Sequence, residues 1–153
     1  MAAHYDGVVK ELILQLKFHR LRAATDAAAE LLLRAAHEWP EVQLVTCVPV
    51  AASRHRERGY NQSELLAKAV ARRLGLPYHP LLGRLTTTHQ IGLDRRSRFE
   101  QVHGAFYALR GLEGQQVLLV DDVVTSGATL SACAEALRGA GAGSVWAAAV
   151  ARH

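Results

Sequence analysis

The sequence predicts an α/β domain in which a mainly parallel sheet carries helices on both faces. Three observations predict it. Segments with helical apolar spacing alternate along the chain with short apolar runs of strand length. The run Val117-Leu118-Leu119-Val120 is apolar throughout, as a strand covered on both faces requires. With 153 residues, half of them hydrophobic, the chain has the length of one domain, 1–153, and enough apolar surface for its own core.

Each element has its own signal. Residues 6–18 place Val8, Val9, Leu12, Ile13 and Leu16 on one helical face and Lys10, Glu11, Gln15 and Lys17 on the other. Residues 23–38 are rich in Ala and Leu, with Asp26 near the start and His37 near the end, a second helix. A buried strand follows at 42–48, interrupted by Pro49. Asn61 stands three residues before Glu64, as in a capping box, and Leu65, Leu66, Ala69, Val70 and Leu74 stripe a third helix that stops at Gly75. Pro77 starts a short extended piece through Leu82. From 83 to 103 no periodicity holds, and a loop of about twenty residues inside a compact domain is usually functional or mobile. Strands are expected at 105–109, 117–121 and 144–151, with a helix at 129–139 between the last two.

The central strand ends in chemistry. Asp121 and Asp122 cannot stay in an apolar core, so they are placed at its carboxyl end, where open α/β sheets bind ligands beside a topological switch point. Thr125, Ser126, Gly127, Ala128 and Thr129 then offer hydroxyls and closely spaced N–H groups at a helix start, a cradle for phosphate. Gly127 lets the backbone approach an anion and makes positive φ accessible. Two acids beside a phosphate would repel it unless they engage hydroxyls or a metal, and a sugar diol with Mg²⁺ provides both. Asp, Ser and Thr also favour plain helix caps, which is the structural alternative.

Charge narrows the partners. Residues 54–98 hold ten Lys/Arg against three acids, while 1–53 hold five against six and 99–153 three against five. Arg54, Arg56 and Arg58 follow a strand directly and form an anion trap, whereas Lys68, Arg72 and Arg73 read as a solvated helix face. Such a basic segment suits a polyanion, either pyrophosphate or a nucleic-acid backbone. No membrane-length apolar stretch or signal-peptide layout is present, which places the chain in the cytoplasm. Cys47 and Cys133 form neither a CxxC nor a metal cluster with the histidines.

The stretch 117–129, with four apolar residues, two acids, two apolar residues and a Thr/Ser/Gly-rich loop, resembles the phosphoribosyl pyrophosphate motif of type I phosphoribosyltransferases. Arg58-Gly59-Tyr60-Asn61-Gln62 resembles the RGxNQ signature of the ComF/GntX branch of that fold. Tyr5-Asp6-Gly7 through Leu16-Lys17-Phe18, and Thr88 to Leu93 followed by Arg95, Arg96, Arg98 and Gly104-Ala105-Phe106, are similar to further segments of the branch. The resemblance implies a type I phosphoribosyltransferase-like fold, with residues 1–22 as a small helical hood and 23–153 as the core. It also implies that Asp121 and Asp122 bind the ribose hydroxyls, 125–129 the 5′-phosphate, and Arg54, Arg56 and Arg58 in loop 51–60 the pyrophosphate. Residues 84–103, with Gln90, Arg95, Arg96 and Arg98, become a closing loop that excludes water, and Lys17 a contact at the mouth of the site. Mg²⁺ would be held through the substrate rather than by direct protein ligands. Gln101 stands where the branch often has Asn and receives no role. Many members carry a four-cysteine zinc element ahead of the domain, and this sequence begins just after where it would lie.

Two functions are consistent with these residues. One is an enzyme that binds Mg²⁺ and phosphoribosyl pyrophosphate and displaces pyrophosphate with a nitrogen nucleophile. The other is a sensor of that ligand which binds single-stranded DNA in DNA uptake or competence. The glutaminase half of an amidophosphoribosyltransferase, with its own cysteine nucleophile, has no counterpart in these residues. The acceptor and the oligomeric state stay open.

Overall fold

The computed structural model describes residues 3–4, 11, 13–14, 22–35, 41–51, 56, 59–85 and 104–152. Among them are strands β1 (Ala3–His4), β2 (Leu44–Cys47), β3 (Leu82–Arg84), β4 (Phe106–Ala108), β5 (Gln116–Val124) and β6 (Ser144–Arg152), and helices α1 (Arg22–Ala35), α2 (Gln62–Leu74) and α3 (Ala128–Gly139). Four strands form a parallel sheet in the order β1-β6-β5-β2, and β3 pairs antiparallel with β4 as a separate ribbon. The mainly parallel α/β fold expected from the sequence is therefore present.

Strand alternation divides the core in two. Leu118 and Val120 of β5 join Val45 and Cys47 of β2 against α1 and α2, where Ala28, Ala29, Leu66 and Val70 are buried. Val117 and Leu119 face the other way, with Leu44, against Cys133 and Leu137 of α3 and Phe106 of the ribbon. Glu11, Ile13 and Leu14 are helical, and Ile13 is fully buried in the α1/α2 layer. The rest of the expected first helix lies outside the described residues. Small residues on α1 and α2 let the two helices pack on one another, and Arg72 and Arg73 of α2 reach Asp26 and Glu30 of α1 across the seam. These pairs are solvated and worth roughly 0–1 kcal/mol each, so they orient the seam more than they hold it. They use up two of the basic charges assigned to a solvated helix face, and Lys68 pairs with Glu64 at 2.7 Å.

Helix ends follow their sequence signals. Asn61 caps α2, its side-chain oxygen accepting from the Ser63 N–H at 3.0 Å, and Gly75 ends the helix in the left-handed region at φ 67°. The extended piece after Pro77 bridges β2, with Val45 N–H donating to the Pro77 carbonyl at 2.9 Å and His79 N–H to that of Val45 at 3.0 Å.

Three strands differ from expectation. β3 takes Gly83 and Arg84 out of the expected loop because they pair with β4. β1 pairs Ala3 and His4 with Ala151 and Arg152, a contact too short to leave a periodicity. β5 runs to Val124 rather than stopping at 121, so the two acids lie within the strand. The reason is unequal neighbours. β2 ends at Cys47 opposite Val120, whereas β6 stays paired to Val124. The acids are thus past the end of the sheet on one side and inside it on the other.

This step coincides with a change of direction. From β2 the chain goes through α2 to the outer bridge at Tyr78, and from β5 it goes through α3 to β6 on the opposite side and face. The topological switch point therefore falls between β2 and β5.

Two glycines test how turns limit the fold. Gly75 has positive φ but open space for a Cβ, whereas at Gly141, φ 97°, a Cβ would stand 2.1 Å from the Leu112 carbonyl oxygen. Gly75→Ala should cost about 1 kcal/mol in urea unfolding. Gly141→Ala should cost more than about 2 kcal/mol, because left-handed strain and a backbone clash add.

Candidate functional site

Asp121 stands between the two layers, within reach of both α2 and the start of α3, whereas Asp122 meets α2. Asp121 lines a small concavity of about 40 Å³ with Thr125, Gly127, Ala128 and Thr129, between the end of β5 and the start of α3. Of the five loop residues singled out in the sequence, four line this concavity. The fifth, Ser126, turns its Oγ to accept from the Ala128 N–H at 3.4 Å.

Gly127 stands before α3 with φ 82°, a conformation that L side chains rarely adopt, and no side chain caps the helix through it. The hydroxyls, the first-turn amides and the positive end of the α3 dipole thus converge on a pocket whose other wall is a carboxylate. Such a site suits an anion that also carries hydrogen-bond donors.

The acids are held by the first turn of α2. Ser63 Oγ donates to Asp121 Oδ1 at 2.8 Å, and Gln62 Nε2 donates to Asp122 Oδ2 at 3.2 Å. Two backbone amides add to this: Asp122 N–H donates to Asp121 Oδ1 at 2.9 Å and Val123 N–H to Asp122 Oδ1 at 2.8 Å. Burial, followed by the charge of Asp122, nevertheless raises the Asp121 carboxyl well above its ordinary range, while the Ser63 and backbone bonds oppose the rise. Asp121 thus carries its charge in a place that does not favour it.

Next to this turn is a cleft of about 180 Å³ lined by Cys47, Pro49, Val50, Asn61, Glu64, Tyr78, Pro80 and Leu82. Asn61 Nδ2 donates to the Val48 carbonyl at 3.1 Å, which ties the start of α2 to the end of β2. Burial pushes the Cys47 thiol up to about 11 and Cys133 to about 12, which keeps both protonated and poorly nucleophilic.

Arg56 is described and exposed, whereas Arg54 and Arg58 lie outside the described residues. Gln90, Arg95, Arg96, Arg98 and Lys17 do so as well. Sequence reasoning missed Gln62 and Ser63 as partners of the acids. A signal existed, because both are polar yet in phase with the buried stripe of α2 through Leu66 and Val70.

Comparison with known proteins agrees with the geometry. A phosphoribosyl transferase domain model matches residues 60–153. The chain is 34% identical over 154 residues to "DNA utilization protein YhgH" of Escherichia coli K12, covering 94% of this chain and 68% of that protein. It is 30% identical over 146 residues to "Competence protein F" of Haemophilus influenzae, covering 88% and 64%. The chain thus spans about two-thirds of these curated relatives. Among solved structures, glutamine phosphoribosylpyrophosphate amidotransferase from B. subtilis, complexed with ADP and GMP, superimposes with a TM-score of 0.57 at 26% identity. That match covers 82% of this chain and 26% of the other.

The strained charge at Asp121 has a measurable sign. A carboxyl whose folded pKa is raised binds its proton more tightly when folded, so stability is highest below the unfolded value and falls as pH rises toward the folded one. Asp121→Asn should therefore raise the melting temperature by roughly 2–6 °C at neutral pH, with the gain vanishing near about pH 4. An equal gain at both pH values would show that its cause is not ionisation.

Proposed function

The chain belongs to the phosphoribosyl transferase domain family, and on that premise we propose that it binds Mg²⁺-phosphoribosyl pyrophosphate at the carboxyl edge of β5 and transfers the ribosyl group to a nitrogen nucleophile. The observation that carries the reading is the concavity that joins Asp121 to the Gly127 turn at the start of α3. An anion cradle walled by an acid fits a ligand that is both phosphate and polyol better than it fits phosphate alone.

In this reading the 5′-phosphate meets the hydroxyls and amides of 125–129, and Asp121 and Asp122 accept from the ribose hydroxyls. Arg54, Arg56 and Arg58 balance the pyrophosphate, and Gln90, Arg95, Arg96 and Arg98 belong to the segment that closes over it. Two adjacent carboxylates fit a hydrated Mg²⁺ brought by the ligand, since Mg²⁺ keeps several waters and needs few protein oxygens. When bound, Mg²⁺ supplies neutralisation of charge on the departing pyrophosphate.

The bond from the nucleophile nitrogen to C1 forms as the C1–O bond breaks, and that electron pair leaves with pyrophosphate. The nitrogen then loses its proton to solvent. Catalysis by this chain is mainly positioning and charge stabilisation.

A second reading is favoured by the names of the relatives and by the ribbon. Tyr107 is 45% exposed and its ring covers Gly83, with exposed Arg110 three residues on, while Arg84 lies over the Phe106 ring at 5.3 Å. An exposed ring on a ribbon that also carries exposed arginines suits stacking on single-stranded DNA, which would make the protein a ligand-sensing DNA binder in uptake. No described helix is long and apolar enough to cross a membrane.

Phosphorus NMR of phosphoribosyl pyrophosphate with Mg²⁺, the protein, ammonia and mixed nucleobases separates the two. A growing pyrophosphate signal, slowed about 100-fold or more by Asp122→Asn, is the transferase outcome. Line broadening without pyrophosphate, together with DNA affinity that falls steeply with salt, is the sensor outcome.

A further inference from the structure

The first turn of α2 contains one polar atom that the fold leaves unused. Gln62 is 7% exposed, and its Oε1 is buried without a hydrogen-bond partner, the one such side-chain atom among the described residues. Its neighbours differ sharply. Asn61 uses both ends of its amide, on Ser63 N–H and on the Val48 carbonyl, and Ser63 uses its hydroxyl on Asp121.

The orphan follows from chemistry. A carboxylate only accepts, so the Gln62 amide must present its NH₂ to Asp122 and turn its carbonyl elsewhere. A buried, unmade acceptor is costly, and an apolar side chain of the same length would avoid the cost. A glutamine at this position, next to the acid pair and at a helix start, presents an acceptor with its hydrogen bond unmade.

We infer that Gln62 is a positioning and ligand-reading residue, whose NH₂ fixes Asp122 while its Oε1 accepts from an O–H donor brought by the ligand. The inference rests on the phosphoribosyl reading and extends it, because the donor is either a ribosyl hydroxyl or a water carried on the ligand's Mg²⁺. Ser63 completes the device by fixing Asp121, so one helix turn sets the spacing of both carboxylates. The same turn is tied to the end of β2 through Asn61, so it is anchored independently of any ligand.

The test is calorimetric titration of wild type and Gln62→Met with Mg²⁺-phosphoribosyl pyrophosphate, with ribose 5-phosphate in the presence and absence of Mg²⁺, and with inorganic phosphate. Wild type should bind the two sugar ligands at least tenfold more tightly than Gln62→Met does. Inorganic phosphate, which has no diol and uses the α3 cradle, should bind both proteins within twofold. Loss of ribose 5-phosphate affinity without Mg²⁺ identifies the sugar hydroxyl as the donor, and loss only with Mg²⁺ identifies the metal-bound water.

Equal sugar affinity in wild type and Gln62→Met overturns the inference while leaving the phosphoribosyl reading intact. No sugar binding by wild type removes both. Should Gln62→Met fail to fold, Ser63→Ala decides the positioning role: a loss of sugar affinity restored by Ser63→Thr supports it, and unchanged affinity overturns it.

Discussion

Two adjacent carboxylates at the step between a strand that ends and a strand that continues are the constraint on which the rest of this structure depends. Asp121 is desolvated by burial and repelled by the adjacent Asp122. The surrounding elements are arranged to make that tolerable. β6 holds the backbone of β5 straight through both residues, while the end of β2 at Cys47 leaves room for the first turn of α2 to reach in. Ser63, Gln62 and two backbone amides then donate to the pair, and the positive end of α2 faces it. These donors do not fully offset the burial and repulsion felt by Asp121.

The first turn of α2 fixes both acids, and Asp121 also shares its concavity with the Gly127 turn, so a ligand across β5 would be gripped from both layers of the domain. The rigidity of the grip comes from the buried layers on either side rather than from surface charge. Leu118 and Val120 are inaccessible beneath α2, and Val117 and Leu119 beneath α3, whereas the ion pairs between α1 and α2 are solvated.

The fold, and the placement of the acids and the glycine turn at the candidate site, were legible in the sequence for identifiable reasons. Four consecutive apolar residues can only be satisfied by burial on both faces, and the acids that follow mark where burial stops. Asn61 and Gly75 bracket α2 because capping is local chemistry. The turn at Gly127 was legible as a glycine and appears as a left-handed residue. The length of β5 was not legible, because it depends on where β2 and β6 end, and no local pattern encodes a neighbour's last residue. β1 was missed for the same reason. In the sequence Gln62 is legible only as the end of the RGxNQ-like stretch and Ser63 not at all, because only the packing of α2 over β5 turns them toward the acids. Lys17, Arg54, Arg58, Gln90, Arg95, Arg96 and Arg98 carry expectations that the described residues do not reach.

The pairing of Ala3 and His4 with Ala151 and Arg152 has a consequence for how the molecule is made. The sheet joins the two ends of the chain, and β2 meets β5 across more than seventy residues, so almost every strand contact is remote in sequence. Folding with such pairing is slow, because loop closure comes before the contacts that reward it. On the ribosome, α1 and α2 can collapse early, but β5 has no second flank until β6 has emerged. The segment carrying both acids and the glycine turn is thus among the last to be locked. A nascent chain stalled before residue 144 would present the edge of β5 unpaired, which is the surface that a chaperone or another stalled chain would meet first.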